Sequence, residues 1–374
     1  MNEPVCRWGI LGAAQIARKN WKAIRLSGNG VVTAVASRDL DRATAFIREC
    51  SNEVPPVVRG QETTTMPAAV DDYQALLDRD DVDAVYIALP TGIRKPWVIA
   101  AAAAGKHVLC EKPAAVHGDD LEEMIAACRE HRVGFMDGVM FDHSARLSGL
   151  RTTLDDPSRF GTLRRIQSHF SFNGGEAFEL NDIRANASLE PHGCLGDLGW
   201  YCIRFSLWAA GDRAPKAVSG EVLSAVGDGS VPAEFRGEMR FTGGLSAGFY
   251  CSFRCVNQQT VQLSGDFGYV TLDDFVLPMV DAESRWYLHQ HDLKIDNCRW
   301  NFGRHTSTYS VREPDSGEPE SQEVNMIRHF ARGVLAGTHD DRDIDVVVKT
   351  QAIVDALRRS AIGGGEWITL NRDH

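Results

Sequence analysis

The apolar run Val5 to Leu11 passes directly into Gly12-Ala13-Ala14-Gln15-Ile16-Ala17, and this junction constrains the fold more than any other stretch. A short apolar run closed by glycine reads as a buried strand. The residues after it follow the G-x-G-x-x-G turn, with alanine at the second and third glycine positions. Gly12 permits the tight turn, while the small Ala14 and Ala17 let a phosphate approach and the next helix pack closely. Exposed amides at that helix start suit a pyrophosphate. A strand feeding a helix in this way requires a parallel sheet with crossover helices.

The segments that follow repeat the unit. Val31 to Ala36 reads as a strand ending in Ser37-Arg38. A dinucleotide fold preferring NAD usually has an acidic residue at this strand end for the ribose diol, whereas arginine accommodates the 2′-phosphate of NADP. Ser37 donates a hydrogen bond and Arg38 pairs with phosphate, so NADP is the expected cofactor and NAD the alternative. Asp39 comes one residue late and is expected to cap the next helix. Ala43, Phe46, Ile47 and Cys50 keep helical spacing. A polar loop is expected over 51–65, a short helix over 73–77, and a strand over 82–89 ending at Pro90-Thr91. An alanine-rich helix over 97–104 follows. Asp120 and Glu123 have capping-box spacing ahead of Leu121, Met124, Ile125 and Cys128. Residues 134–140 read as a last strand. Such alternation specifies a doubly wound parallel sheet.

Within it, His107-Val108-Leu109 leads into Cys110-Glu111-Lys112-Pro113. Pro113 cannot continue a central strand, so Lys112 is expected at the strand's carboxyl end. That end faces the ligand crevice in open α/β sheets. A lysine over a dry floor is both a point charge and a proton-transfer group. The Lys112–Pro113 peptide is expected to be cis or sharply turned. Taken alone, the same four residues also suit a solvated surface turn.

After Phe141 strand follows strand, which places a boundary there: a dinucleotide-binding domain over 1–141 and an α/β domain over 142–374. Ile166, Ser168, Phe170 and Phe172 share one face of a strand, and Leu245, Ala247, Phe249, Cys251 and Phe253 alternate with smaller or polar residues. Residues 261–265 and 269–272 flank Gly265-Asp-Phe-Gly268 as a hairpin. The fold class is therefore α/β, a doubly wound parallel sheet followed by an α+β domain on a largely antiparallel sheet. Asp197 and Tyr201, four apart, share one helix face above Leu198, Cys202 and Phe205. On the residues alone Asp197 reads as a cap and Tyr201 as core. A phenol beside a carboxylate, aimed at a lysine, can instead manage a hydroxyl proton. His192 precedes this helix as a second proton-transfer candidate. Asp137, His143 and Arg146 are expected at the pocket edge, residues 281–322 as an extended hairpin or loop at an interface, and 323–335 and 345–362 as closing helices.

The chain of 374 residues is long for one core. Its net charge of −11 argues against nucleic acid or an anionic membrane as a partner. No apolar run is long enough to span a bilayer, and Met1-Asn2-Glu3-Pro4 has no signal-peptide pattern. Nine cysteines, mostly within apolar runs, fit reduced thiols in a cytoplasm. Cys251 and Cys255 read as sheet residues, and His289 and His291 lack further ligands, so no metal is expected.

Gly9-Ile-Leu-Gly-Ala-Ala-Gln-Ile-Ala17, Ala84-Val-Tyr-Ile-Ala-Leu-Pro-Thr91 and Ala104-Gly-Lys-His-Val-Leu-Cys-Glu-Lys-Pro113 together resemble the glucose–fructose oxidoreductase / inositol dehydrogenase (Gfo/Idh/MocA) family. The resemblance covers nearly the whole chain. It implies a cofactor lying over Gly12, Ala14, Gln15 and Ile16, with Ser37 and Arg38 at its adenosine end. Leu89, Pro90, Thr91, Glu111 and Lys112 would border it at the strand ends. The Asp-x-x-x-Tyr spacing resembles the family's carbohydrate and dihydrodiol dehydrogenases; inositol dehydrogenases tend to carry histidine at the second position. On that reading Lys112 and Tyr201 are catalytic, and Asp197, Tyr201, Lys112 and His192 bind a small sugar, polyol or diol. The resemblance also implies that the open face of the second sheet pairs subunits into a homodimer or homotetramer. In one departure, the family often has histidine where this chain has Arg94, which is expected to add a charge near the cleft. Two other readings fit the same fold: a dinucleotide-binding regulator without turnover, and an NAD-dependent glycosidase.

Overall fold

The computed structural model describes residues 4–370 apart from 54–56, 59–60, 63–65, 227–228, 280–281 and 315–316. Most of the polar loop expected over 51–65 lies outside the described residues, as do Met1, Asn2 and Glu3. The chain divides into two compact units. The first comprises 1–143, 188–191 and 316–351, the second 144–187, 192–315 and 352–374.

The first unit is built on six parallel strands. β1 (Cys6–Leu11) leads through Gly12 into α1 (Gln15–Leu26), and β2 (Gly30–Ala36) leads into α2 (Leu40–Glu53). β3 (Val57–Val58) and β4 (Gln61–Glu62) form a two-residue ladder of their own. Then come β5 (Ala68–Val70), α3 (Tyr73–Leu77), β6 (Ala84–Ile87), α4 (Lys95–Ala103), β7 (His107–Cys110), α5 (Gly118–Glu130) and β8 (Phe135–Asp137). The order β5-β2-β1-β6-β7-β8 reverses direction at β1 and β6. Register brings the strands to an end together: Leu11 pairs with Ala36 and Ile87, Ile87 with Cys110, and Cys110 with Asp137. In this topology ligands bind beyond that edge, where the order reverses. β6 and β8 are shorter than the expected 82–89 and 134–140. The chain leaves the sheet early at each, turning into 3-10 helices at Thr91–Ile93 and Met140–His143.

Two expectations are corrected here. Asp120 and Glu123 do not form a capping box: α5 starts at Gly118, and both carboxylates hold Lys95 of α4, at 2.9 and 2.7 Å. An ammonium is the stronger partner for a carboxylate than a helix-end amide. Segment 316–351, placed in the second half by a single boundary near residue 141, is part of the first unit. α9 (Gln322–Ala336) carries an apolar face of Val324, Ile327, Phe330 and Ala331. That face finds cover on β1, with the Trp8 and Phe330 rings 5.6 Å apart. Arg328 Nε also donates to Ser27 O, and Asn29 Nδ2 to Arg328 O, each at 3.0 Å.

One histidine makes this unit acid-sensitive. The Gly134 N–H donates to His107 Nδ1 at 2.9 Å, and the His339 ring lies 4.8 Å away. Burial, with His339 beside it, holds His107 down at about 4 against the ordinary 6.5. An unfolded chain therefore takes up a proton that the folded one refuses, and stability falls as the pH drops through that window. Chemical denaturation at neutral pH and at about pH 5 should show this loss. It should be smaller in His107→Gln, whose amide oxygen still accepts from Gly134 but does not titrate; an equal loss contradicts the assignment.

The second unit holds a nine-stranded sheet. In chain order come α6 (Arg146–Leu154), β9 (Arg165–Asn173), α7 (Gly175–Asn181), α8 (Trp200–Ala209), β10 (Ala217–Val226), β11 (Val231–Arg240) and β12 (Ser246–Ser252). β13 (Arg254–Ser264), β14 (Tyr269–Leu272), β15 (Glu283–Asp296) and β16 (Arg299–Arg312) follow. α10 (Asp341–Ile362) enters this unit at residue 352, and β17 (Ile368–Thr369) ends it. The order is β16-β15-β14-β13-β9-β12-β11-β10-β17, antiparallel except where β9 meets β12. The expected hairpin pairs Val261 with Leu272 and Ser264 with Tyr269. Ile166, Phe170, Ala247, Phe249, Cys251, Val261 and Leu263 are buried on one face, which α8 packs against. Gln167, Arg236 and Gln262 stand exposed on the other. The hairpin expected over 281–322 is β15 and β16, paired from Glu283 with Arg312 to Asp296 with Arg299. Among the described residues no helix is long and apolar enough to cross a membrane.

Candidate active site

In the first unit the β1 turn opens the crevice. Gly12 has φ +99°, and a Cβ there would meet the Leu89 side chain at 3.0 Å and Ala88 O at 3.1 Å. Neither the backbone angle nor the space admits a side chain, so the turn between the ends of β1 and β6 is bare backbone. Beyond it α1 begins at Gln15 with no side-chain cap and no acidic residue in its first turn. Ala17 N donates to Ala14 O, which leaves the Gln15 and Ile16 amides for an anion. Ser37 is buried at the end of β2, its N–H donating to Val70 O at 3.0 Å, and Arg38 is exposed next to it. Asp39 Oδ1 accepts from Asp41 N and Arg42 N, capping α2 as expected. Sequence reasoning missed Arg42: its guanidinium donates to Ala13 O of the turn at 3.3 Å. A bare turn, open amides and two cations fit a dinucleotide with an extra phosphate on its adenosine ribose. Those residues would hold the pyrophosphate and the 2′-phosphate. Among the described residues no group of three or more His, Cys, Asp or Glu side chains is placed to hold a metal ion.

Lys112 stands at the end of β7 on a platform of hydrogen bonds, and the Lys112–Pro113 bond is cis. Its own N–H donates to Glu111 Oε2 at 3.2 Å. Glu111 Oε1 accepts from Tyr86 OH at 2.5 Å, and Tyr86 OH accepts from Asn20 Nδ2 at 2.8 Å. Burial pushes the Glu111 carboxyl up from its ordinary value, opposed by the Tyr86 hydroxyl and by the charges of Lys112 and Arg94. Burial also pushes the Tyr86 phenol well up, so it stays a donor. The Glu111 side chain is turned into this floor. Arg94 corrects an expectation: it is only 2 % exposed, and its guanidinium donates to the carbonyls of Leu89, Glu111 and Pro113. Its charge is directed at backbone oxygens below the crevice.

Pro90 and Thr91 follow β6. The Thr91 N–H and Oγ1 donate to Glu190 at 2.9 and 2.7 Å, and Gly92 N donates to Leu189 O at 2.8 Å. A Cβ on Gly92 would collide with Ser188 O. No local signal marks Glu190, because its partners are 99 residues away. Glu190→Ala should lower unfolding stability by about 1–2 kcal/mol, as for loss of a charged acceptor at a helix start, measured by denaturant titration. Glu190→Gln should lose less; equal losses contradict the assigned bonds.

The second unit presents the other candidates. Leu195–Gly199 is π-helical and runs into α8, so Asp197 lies in the widened turn and Tyr201 in the first turn of the regular helix. Such turns are frequent at functional sites. The spacing of four had indicated α-helix throughout. Tyr201 is 6 % exposed and stands edge-on to Phe170, ring centroids 5.7 Å apart. Arg184 Nε lies 3.3 Å from Asp197 Oδ2, an ion pair that sequence reasoning missed. His192, the second proton-transfer candidate, is buried, and its carbonyl accepts from Leu195 N and Gly196 N. Arg146 is not a pocket-edge residue: it is buried against Asp274, whose Oδ1 lies 2.5 Å from Nη1. Asp137 is buried at the end of β8, and the His143 ring lies 5.1 Å from His329. Asp197, Tyr201 and His192 thus come together in one unit, and Lys112 with the bare turn in the other.

Residues 6–138 match the model of an oxidoreductase family with an NAD-binding Rossmann fold, and 154–271 match the GFO/IDH/MocA C-terminal domain. The chain is 34% identical over 372 residues, 95% of each chain, to a dTDP-3,4-didehydro-2,6-dideoxy-alpha-D-glucose 3-reductase of Streptomyces violaceoruber. It is 29% identical over 275 residues to a trans-1,2-dihydrobenzene-1,2-diol dehydrogenase of Mus musculus, 73% of this chain and 76% of that one. A 3-ketoreductase from Actinomadura kijaniata, solved with NADP and TDP-benzene, superposes with a TM-score of 0.77 at 26% identity, covering 96% of this chain and 98% of that one.

Proposed function

This chain belongs to the Gfo/Idh/MocA family of oxidoreductases, and from that premise we propose that its two units share one reaction, NADP(H)-dependent oxidation or reduction at a CH–OH or carbonyl carbon of a sugar, polyol or diol. The observation that carries this reading is the pairing of a bare glycine turn with a lysine on a rigid platform, both beyond the same sheet edge. The first unit would supply the cofactor site and the second the substrate site. Gly12, Ala14, Gln15 and Ile16 take the pyrophosphate, Ser37 and Arg38 the 2′-phosphate, and Leu89, Pro90, Thr91, Glu111 and Lys112 border the nicotinamide. When bound, that cofactor supplies or takes up the hydride.

The chain's own residues manage the proton and the geometry. In oxidation the Tyr201 phenolate accepts the proton of the substrate hydroxyl; in reduction the phenol returns it. The Lys112 ammonium borders the nicotinamide as a positive charge. Asp197, paired with Arg184, accepts hydrogen bonds from neighbouring hydroxyls and orients the ring. His192 completes the substrate set. We place the protein in the cytoplasm, a reading supported by nine unpaired cysteines of which seven are buried thiols. The polar open face of the nine-stranded sheet would pair subunits into a homodimer or homotetramer. The direct test is turnover of NADPH with a panel of keto sugars and of NADP with aldoses and vicinal diols. Activity should appear with polyhydroxylated substrates and fall ~10²–10⁴-fold in Tyr201→Phe.

A further inference from the structure

Arg94 has surroundings unusual for a cation. It sits at the junction of the Thr91–Ile93 turn and α4, almost wholly buried. Nε and Nη2 both donate to Leu89 O, at 3.1 and 2.6 Å. Nη1 donates to Glu111 O at 2.5 Å and to Pro113 O, with Ala114 O at 3.4 Å. A buried charge is costly unless its protons are satisfied, and here carbonyl oxygens satisfy them. These acceptors flank the candidate catalytic lysine. Glu111 and Pro113 are its two chain neighbours, and Leu89 is the residue that backs the Gly12 turn. One planar group therefore ties the end of β6 to the end of β7, gripping the backbone on both sides of Lys112.

We propose that Arg94 is a positioning residue that fixes the direction of the Lys112 side chain by clamping the carbonyls of Glu111 and Pro113 to that of Leu89. The inference rests on the reading of Lys112 as a residue bordering the cofactor. A guanidinium does this where other groups cannot. Its rigid fork has five donors, a lysine has three on a swivelling stem, and a histidine has at most two on opposite ring edges. From beneath, the Asn20–Tyr86–Glu111 chain holds the Lys112 N–H in the same way. Clamp and chain together hold the backbone from which the Lys112 side chain projects.

Trace acetylation of the purified protein with acetic anhydride, read by mass spectrometry, reports the Lys112 amine without any substrate. The exposed Lys216 serves as internal reference. In wild type, saturating NADP should protect Lys112 by roughly tenfold or more and leave Lys216 unprotected. In Arg94→Lys the charge remains but the fork is lost. The pH profile of Lys112 labelling in the cofactor-free protein should then move toward that of Lys216. Protection by NADP should fall to about threefold or less, while the NADP dissociation constant changes by less than about threefold. Arg94→His, with at most two donors, should shift both readouts in the same direction. A merely structural arginine would lower the melting temperature in both variants and leave the labelling profile and the protection unchanged, which overturns the proposal. Absence of NADP protection in the wild type would instead remove Lys112 from the cofactor, and the clamp would lose its function with it.

Discussion

Tyr201→Phe should lose ~10²–10⁴-fold in turnover, the range for a general acid–base group, with dinucleotide affinity close to wild type. The phenylalanine ring keeps the edge-on packing against Phe170, so the fold should tolerate the change. Lys112→Met should lose at least as much if, as proposed, its charge borders the nicotinamide. If the two residues serve one step, the double variant should be little worse than the poorer single one. Multiplied losses would mean that Lys112 and Tyr201 serve separate steps. A fully active Tyr201→Phe would shift the proton to His192 or to Lys112 alone. Steady-state kinetics with any active substrate, alongside NADPH titration by fluorescence, separates these outcomes.

Arg38→Ala should weaken NADP binding by ~1.5–3 kcal/mol, the range for a charge-assisted hydrogen bond, and leave NAD nearly unchanged. That is roughly 10–150-fold in dissociation constant. The end of β2 has no carboxylate for a ribose diol, because Asp39, the nearest, is committed to capping α2. Arg42 is partly committed as well, through Ala13 O. Of the two cations Arg38 is therefore the one on which the extra phosphate depends. Calorimetric titration with both cofactors measures the effect. Equal losses for NADP and NAD, or tighter binding of NAD by the wild type, would contradict the assignment.

The local part of this molecule was legible from its residues. Strand-length apolar runs punctuated by Gly12, Pro90 and Pro113 located the sheet edge, because glycine and proline leave few backbone choices. Alternation along 245–253 located a strand of the second sheet for the same kind of reason. What escaped were partners distant in sequence. α9 was legible as a closing helix, but not that β1 would cover its apolar face. Asp120 and Glu123 had the spacing of a cap, yet Lys95 claimed both carboxylates. Glu190 and Arg184 act through residues that no periodicity connects to them. Arg94 was visible only as a charge, and its burial under the crevice followed from carbonyls that the strand ends turn inward. The π-helical turn at Leu195–Gly199 has no signature in a spacing of four.

The central claim is that this chain carries out hydride transfer with Tyr201 handling the proton. Rapid mixing of the NADPH-loaded protein with a panel of keto sugars and other carbonyl compounds tests it most directly, followed at the reduced-nicotinamide absorbance band. With at least one polyhydroxylated carbonyl the wild type should oxidise its bound NADPH in a single exponential, and Tyr201→Phe should do so ~10²–10⁴-fold more slowly. A wild-type protein that binds NADPH tightly and never oxidises it across the panel would contradict the claim and mark the chain as a dinucleotide-binding regulator.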